Sequence, residues 1–513
     1  MATTQEGPLD IRITPSRGPA FSRPVLLRLA ALTPAVLLVH GYHPFADDAG
    51  IYVAGIRKLL DPALYQIDAP FVLANTRLSV FAHLFAAAVR VTHLPLPWAL
   101  LAAHLASIFL YLLAGWLIAR AVFARQADRW SAVLFAAACF TLPAAGTALL
   151  LMDPYVTSRS FSTPLGLFAV AAVLERRWGW AALLVVFMGL MHPLMAAYAA
   201  ALLVFYALVD SDHKRTAAAL AVVGIAAIGM ASLALRHVPV SHAYYNAIHS
   251  NVRTFLFPSL WTWYEDIGLA APLALLALAA FRSQKQSRIH KLCFSSVLLG
   301  LSAIIAAFLF VHTSGPFLLA RVQLLRSFHI LYVLGTLLIG GWLANLLWQR
   351  EKRRWLLIVL LAAAAVGLFA AQRATYPDSA HIEWPGASPR NPWAKAYDWV
   401  RANTPANAVF AADPKLVFLP GVDSQGFRAT TGRSILADEK DRGVAAIVDP
   451  SIASAWAAQY DAQVGVDTMS DAERERRLRP FGVTWLLLPS DSPTGFACPY
   501  RNAVAKVCRM AGY

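Results

Sequence analysis

Two adjacent carboxylates, Asp47 and Asp48, stand in the stretch HPFADDAGIY, directly after the first long apolar run of the chain. Charges beside a membrane are costly unless water, a partner or a function holds them there. A carboxylate at such a boundary can take the proton of an acceptor hydroxyl as a general base, or ligate a divalent metal ion. The plainer reading is helix capping, since an Asp just before a helix accepts a backbone N–H and acids suit the start of a helix dipole. Neighbouring positions on a helix point about 100° apart. Only one of the two is therefore expected to face a pocket, and Asp47, nearer the end of the apolar run, is the expected catalytic member, with Asp48 the natural cap.

Other polar residues fall on the same side of the expected membrane. MDPYVTSRSFS carries Asp153, Tyr155 and Arg159. The planar fork of Arg159 matches phosphate oxygens, and the plain alternative is an arginine snorkelling at the interface. His192-Pro193 breaks an apolar stretch at an outer turn, where a histidine is most simply a hydrogen-bonded one. In HTSGPFLLARVQLLRSFH, Arg321 and Arg326 lie near the outer end of an apolar segment, flanked by His312 and His329. Arginines at that depth face a polar cavity or a partner, and suit a lipid-linked phosphate; pairing with Asp153, Glu265 or Asp266 is the alternative. Arg236, His237, His242, His249 and Arg253 form a further polar group, but the histidines have no metal-binding spacing, and no metal ligands are assigned.

The elements that must position these residues are apolar. The 513 residues are 58% hydrophobic and 14% charged, with a mean hydropathy of +0.53. Stretches long enough to cross about 30 Å of hydrocarbon recur along the chain. The expected spans are Val25–Gly41, Leu100–Ala119, Trp130–Leu150, Pro164–Leu174, Trp180–Met191, Leu194–Val209, Ala217–Leu235, Ile267–Phe281, Leu292–Val311, Ser327–Trp348 and Trp355–Ala371. That makes about eleven transmembrane helices. They leave the basic clusters at Arg120–Arg129, Arg176–Arg177, Lys214–Arg215, Arg282–Lys291 and Arg350–Arg354 on the cytoplasmic side, as the positive-inside rule requires. Val72–Val91 is apolar too, but as a span it would invert that pattern, and it holds Asn75, Arg77, His83 and Arg90. It is expected to lie along or dip into the outer surface, beside a second interfacial helix at Ala49–Leu60.

The expected organisation is a cytoplasmic tail over 1–24 and a transmembrane domain over 25–374, with a first outer loop at about 42–97. A linker over 375–392 then leads to a soluble α/β domain over 393–513 on the outer side. In that last region, AVFAADP and VTWLLLPS read as buried strands, with helices at Trp393–Asn403 and Asp471–Arg479. Cys498 and Cys508, ten apart in an otherwise Cys-free region, suit a disulfide in an oxidising compartment; two unrelated thiols are the alternative. Residues 376–513 hold 15 acidic and 15 basic side chains, so the net charge of +15 lies wholly in the preceding part. A nucleic-acid binder would carry a basic face on its soluble part, and this class is excluded on that ground.

An acidic pair in a long first outer loop with interfacial helices, a many-spanned body and an outward C-terminal domain together resemble the GT-C superfamily of integral-membrane glycosyltransferases. Its motif here is ADD, Ala46–Asp48. VTSRSFSTPLGL, MGLMHPLMA and TGRSILADEKD also resemble bacterial membrane proteins of GT-C-like form. The resemblance implies a polyprenyl-phosphate-linked sugar donor, Asp47 or Asp48 as the first-loop catalytic acid, and the outer-loop arginines as phosphate holders. The Trp-Trp-Asp-Tyr-Gly motif of oligosaccharyltransferases is absent, which counts against peptide-asparagine glycosylation.

The resulting expectation is a bacterial inner-membrane glycosyltransferase with its site and C-terminal domain in the periplasm. Asp47 and Asp48 are its catalytic candidates, and Asp153, Arg159, His192, Arg321 and Arg326 its substrate-binding candidates. Its partners are membrane lipid and a lipid-linked sugar donor, with a divalent metal ion at the acids as an open cofactor question. The rivals are a transporter or flippase of a lipid-linked or anionic substrate, and a non-catalytic assembly protein of the same fold.

Overall fold

The computed structural model describes residues 21–210, 215, 219, 241–249, 255–311, 313, 317–348, 351–419 and 422–510. Nine helices lead the chain: α1 Arg23–His40, α2 Asp48–Leu60, α3 Ala69–Leu78, α4 Phe81–Thr92, α5 Leu96–Val122, α6 Gln126–Ala138, α7 Arg159–Leu174, α8 Trp178–Met191 and α9 Pro193–Val209. Further apolar helices follow at Trp263–Arg282, Arg288–Phe310, Phe328–Leu347 and Arg354–Thr375.

The chain is a multi-pass membrane protein. Among the described residues, six helices are long and apolar enough to cross a membrane, or seven if the bent α3–α4 pair is one span. The expected count of eleven is not reached among the described residues, for a local reason. A span needs about 20 residues, whereas α6, α7, α8 and α9 have 13, 16, 14 and 17. The expected span Ala217–Leu235 lies outside the described residues except for Ala219, and Lys214, Arg236, His237, Arg253 and His312 lie outside them as well. The last apolar helix has only 11% of its apolar window buried within the protein, and Ile358, Val359, Leu360 and Val366 are exposed along it. Such a face suits contact with lipid or another apolar surface.

Two expected elements differ. Trp130–Leu150 is not one span: α6 ends at Ala138, and a two-stranded antiparallel hairpin follows, β1 Pro143–Ala144 with β2 Leu149–Leu150. Gly146 at φ +67° and Ala148 at φ +53° turn the chain back between the strands. Val72–Val91 is two helices bent by 98°. Ser79 at the bend donates to the Met191 carbonyl at 2.5 Å, and the Val80 N–H donates to the Leu190 carbonyl at 3.0 Å. The end of α8 thus takes up backbone bonding at the corner.

Close helix packing fixes the body. Ser131 of α6 donates to the Gly340 carbonyl at 2.7 Å. A Cβ at Gly340 would lie 2.6 Å from that Ser131's carbonyl oxygen. Small residues permit this approach where no hydrophobic effect drives helices together.

The C-terminal region folds around a five-stranded sheet of order β4-β3-β5-β7-β6. Its strands are β3 Val409–Ala411, β4 Ser434–Ile435, β5 Trp485–Pro489, β6 Ala497–Arg501 and β7 Ala505–Arg509. Strands β4, β3 and β5 are parallel, while β7 runs antiparallel to β5 and β6. Both faces are covered, so β5 is continuously apolar. Trp485 and Leu487 pack with Tyr397 and Val400 of the Pro392–Asn403 helix; Leu486 and Leu488 face Ala462 and Leu478. Cys498 and Cys508 are disulfide-bonded.

Candidate active site

The segment after α1, the segment before α7 and the C-terminal region meet at Asp47. The His43 N–H donates to the Pro154 carbonyl at 2.9 Å, joining the first two segments. The linker joins them as well: Tyr42 bridges to Ile382, and His43 Nδ1 lies 2.8 Å from Glu383 Oε1. Gly426 sits at φ +82°, and a Cβ there would lie 2.5 Å from the Phe45 carbonyl oxygen. Only glycine lets the C-terminal backbone come this close.

Asp47 precedes α2 with φ 46° and ψ −125°, a conformation uncommon for a residue with a side chain. Its carboxylate does not cap the helix. Tyr155 Oη donates to Oδ2 at 3.0 Å, and Lys440 Nζ contacts Oδ1. Asp48 is the first residue of α2 and, contrary to expectation, is not the cap. Its Oδ1 lies 3.1 Å from the same Lys440 Nζ, and its Oδ2 accepts from Arg159 Nη1 at 3.0 Å. Both carboxylates therefore share one pocket. The helical-spacing argument fails because Asp47 is not helical, and its left-handed backbone swings its side chain to the same side as that of Asp48.

Arg159 opens α7 and is committed to acids. Its Nη2 and Nε donate to Asp153 Oδ2 at 2.9 and 3.2 Å, besides the bond to Asp48. Asp153 is buried, which pushes its carboxyl pKa upward against the pull of Arg159. It lies behind Arg159 and is not part of the cavity wall.

That wall encloses about 1160 Å³ and brings together Asp47, Asp48, Arg159, His192, Arg321 and Arg326. His192 joins α8 to α9, its ring accepting from the Met195 N–H at 3.5 Å. Arg321 donates to the Ile447 carbonyl at 2.8 Å. Arg326 donates to the Thr147 carbonyl at 2.9 Å and lies 4.3 Å from the Phe255 ring centre. Glu265 closes the capping box of Thr262. The cavity has six cationic side chains against three carboxylates, with Lys415, Lys440, Arg442 and Glu439 completing the set. It therefore favours an anion. Ile51, Leu78, Leu194, Leu318, Phe418 and Val448 give it an apolar flank.

Lys440 was not evident from sequence. It lies on a five-residue helix, Glu439–Gly443, that follows strand β4. Asp438 caps this helix by accepting from the Lys440 and Asp441 N–H groups at 2.7 and 3.0 Å, and Asp441 answers through the Asp438 N–H at 3.0 Å. Arg428 holds Asp441 at 2.8 Å and reaches across to Asp68 of the first loop at 2.5 Å. Burial pushes the Lys440 ammonium down to about 7. The signal in the sequence was the capping pattern DEKD, which marks a helix start but not its burial.

A family described as "Domain of unknown function (DUF6798)" matches residues 391–462, the segment that carries Arg428 and Lys440. No curated protein matches the chain by sequence. Among solved structures, a mutant form of the arabinofuranosyltransferase AftD from Mycobacteria superposes with a TM-score of 0.52 at 13% identity, over 97% of this chain and 42% of that one. The Archaeoglobus fulgidus oligosaccharyltransferase tethered with an acceptor peptide aligns with a TM-score of 0.49 at 12% identity, over 91% of this chain and 69% of that one. The archaeal enzyme is also known in complex with an inhibitory peptide and a dolichol-phosphate, and that structure aligns with a TM-score of 0.41 at 13% identity, over 91% of this chain and 69% of that one. The chain spans about two fifths of the mycobacterial protein's length.

Proposed function

We propose that this chain, which has a GT-C-like fold, transfers a sugar from a polyprenyl-phosphate-linked donor to a hydroxyl acceptor at the outer face of a bacterial inner membrane. The carrying observation is the joining of an acid pair, a cationic lining and an apolar flank in one cavity of about 1160 Å³. A lipid-linked donor has a sugar head, a phosphate and an apolar tail, and each has a matching wall. Nucleotide sugars are cytoplasmic, so an outward site requires a donor delivered through the membrane.

In this reading Asp47 takes the proton of the acceptor hydroxyl as its oxygen attacks the anomeric carbon. The bond from that carbon to the phosphate oxygen breaks, and the polyprenyl phosphate leaves with the electron pair. Arg321 and Arg326 stabilise the charge that develops on it. Arg159, already engaged by Asp48 and Asp153, holds the acids in place rather than meeting the phosphate.

The reading is tested with purified protein and a panel of polyprenyl-phosphate sugars. Transfer is expected from at least one donor. Arg321→Ala and Arg326→Ala are each expected to lower kcat/KM by about 10–100-fold, as loss of a charge-assisted contact implies. No transfer across the panel by folded wild type would sink the proposal. Orientation is tested separately: a C-terminal alkaline-phosphatase fusion is expected to be active and a green-fluorescent fusion dark. The opposite pair of results would put the cavity on the wrong side for a lipid-delivered donor.

A further inference from the structure

We infer that Lys440 is the resident cation of the Asp47–Asp48 pair and stands where a divalent metal ion would otherwise bind. Two carboxylates facing one pocket repel each other, and both stay ionised only if a cation lies between them. Lys440 Nζ fills that position, in contact with Asp47 Oδ1 and 3.1 Å from Asp48 Oδ1. The remaining oxygens already have donors, Tyr155 at Asp47 and Arg159 at Asp48. A hard divalent ion needs about six oxygen ligands or waters around it. Here it would have to displace an ammonium and sit beside a guanidinium, both of which repel it. Nor is there a third acid: among the described residues, no group of three or more His, Cys, Asp or Glu side chains could hold a metal ion.

The lysine is held by more than its two acids. Asp438 and Asp441 cap the short helix from both directions, and Arg428 anchors Asp441. Phe418 lies 5.3 Å from the ammonium and covers it on another side. The C-terminal region therefore supplies at most one unit of positive charge where a metal would supply two. Lys440 is a positioning residue for the acid pair, and the transfer proposed above needs no added divalent ion.

The consequence for activity rests on the glycosyl-transfer reading, but the consequence for metal binding does not. The experiment is a Mn²⁺ titration of EDTA-washed full-length protein in detergent, followed by the electron paramagnetic resonance signal of free Mn²⁺. Wild type and Asp47→Asn are expected to bind Mn²⁺ equally weakly. Lys440→Gln is expected to bind at least about tenfold more tightly, because a contact charge of like sign is gone. That gain should vanish in Lys440→Gln/Asp47→Asn and be absent in Lys440→Arg, which keeps a cation. A wild-type site lost in Asp47→Asn would overturn the inference, and this comparison stands even if Lys440→Gln does not fold. A folded Lys440→Gln without the gain would overturn it as well. Where transfer is measurable, EDTA should leave wild-type turnover within about twofold, as expected for charge supplied by a side chain. Its loss on chelation, with recovery on adding metal, would overturn the inference while leaving the transfer reading intact.

Discussion

Asp47→Asn is expected to lower sugar transfer by about 10²-fold or more while the protein remains folded, the effect of removing a general base. The amide is nearly isosteric and can still accept from Tyr155, so the junction with the segment before α7 survives. It cannot take a proton. Asp48→Asn should act differently. Asp48 meets two cations, Arg159 and Lys440, whereas Asp47 meets one cation and a neutral hydroxyl. The amide at position 48 would leave Arg159 with Asp153 alone and loosen Lys440, so about tenfold loss is expected through misplacement rather than lost chemistry. The measurement is transfer by purified wild type and both variants, with thermal melting as the folding control. Equal activity in all three would remove the catalytic role of this stretch. A deeper loss in Asp48→Asn would exchange the roles of the two acids.

Arg428→Met is expected to destabilise the C-terminal region by about 3–5 kcal/mol, the usual cost of breaking a buried ion pair from one side. The Arg428 side chain is 10% exposed, that of Asp68 1% and that of Asp441 3%. Its removal leaves two buried carboxylates without their cation. It also removes a donor to the Ile435 carbonyl at 3.0 Å. The variant should therefore melt earlier and lose transfer, in contrast to Asp47→Asn, which should lose transfer alone. Adding Asp68→Asn should recover part of the stability, since one stranded charge is then gone. Full stability in Arg428→Met would mean that the C-terminal region does not depend on this bridge to the first loop.

The apolar helices were largely legible because a lipid-facing helix must be apolar over its whole length. The Arg288–Phe310, Phe328–Leu347 and Arg354–Thr375 helices lie close to the stretches expected for them. The strands β3 and β5 were legible for a related reason: each is covered on both faces, so AVFAADP and VTWLLLPS carry unbroken apolar runs. Trp130–Leu150 misled because its hairpin residues are nearly as apolar as a span, with only Pro143 and Gly146 to mark the break. In the site, Arg159, His192, Arg321 and Arg326 stood out as polar residues in apolar surroundings. Lys440 did not. Among the charges of a neutral domain it reads as one of a solvated run, and its burial depends on contacts made from the far end of the chain. The backbone twist at Asp47 was equally hidden, because Asp47 is not a glycine and no local pattern requires a positive φ there.

The contact between Asp47 and Lys440 joins residues 393 positions apart. During synthesis the acid pair emerges early, and all four apolar helices that follow α9 in the described chain are made before its lysine. Domains fold broadly in the order they are made, so this contact can form only after the C-terminal region has been made. A ribosome that stops within the membrane body thus leaves a protein whose carboxylates lack both Lys440 and the wall around it. On the proposed reading, a chain that stops short of Lys440 lacks the assembled acid–lysine cluster and is expected to transfer no sugar.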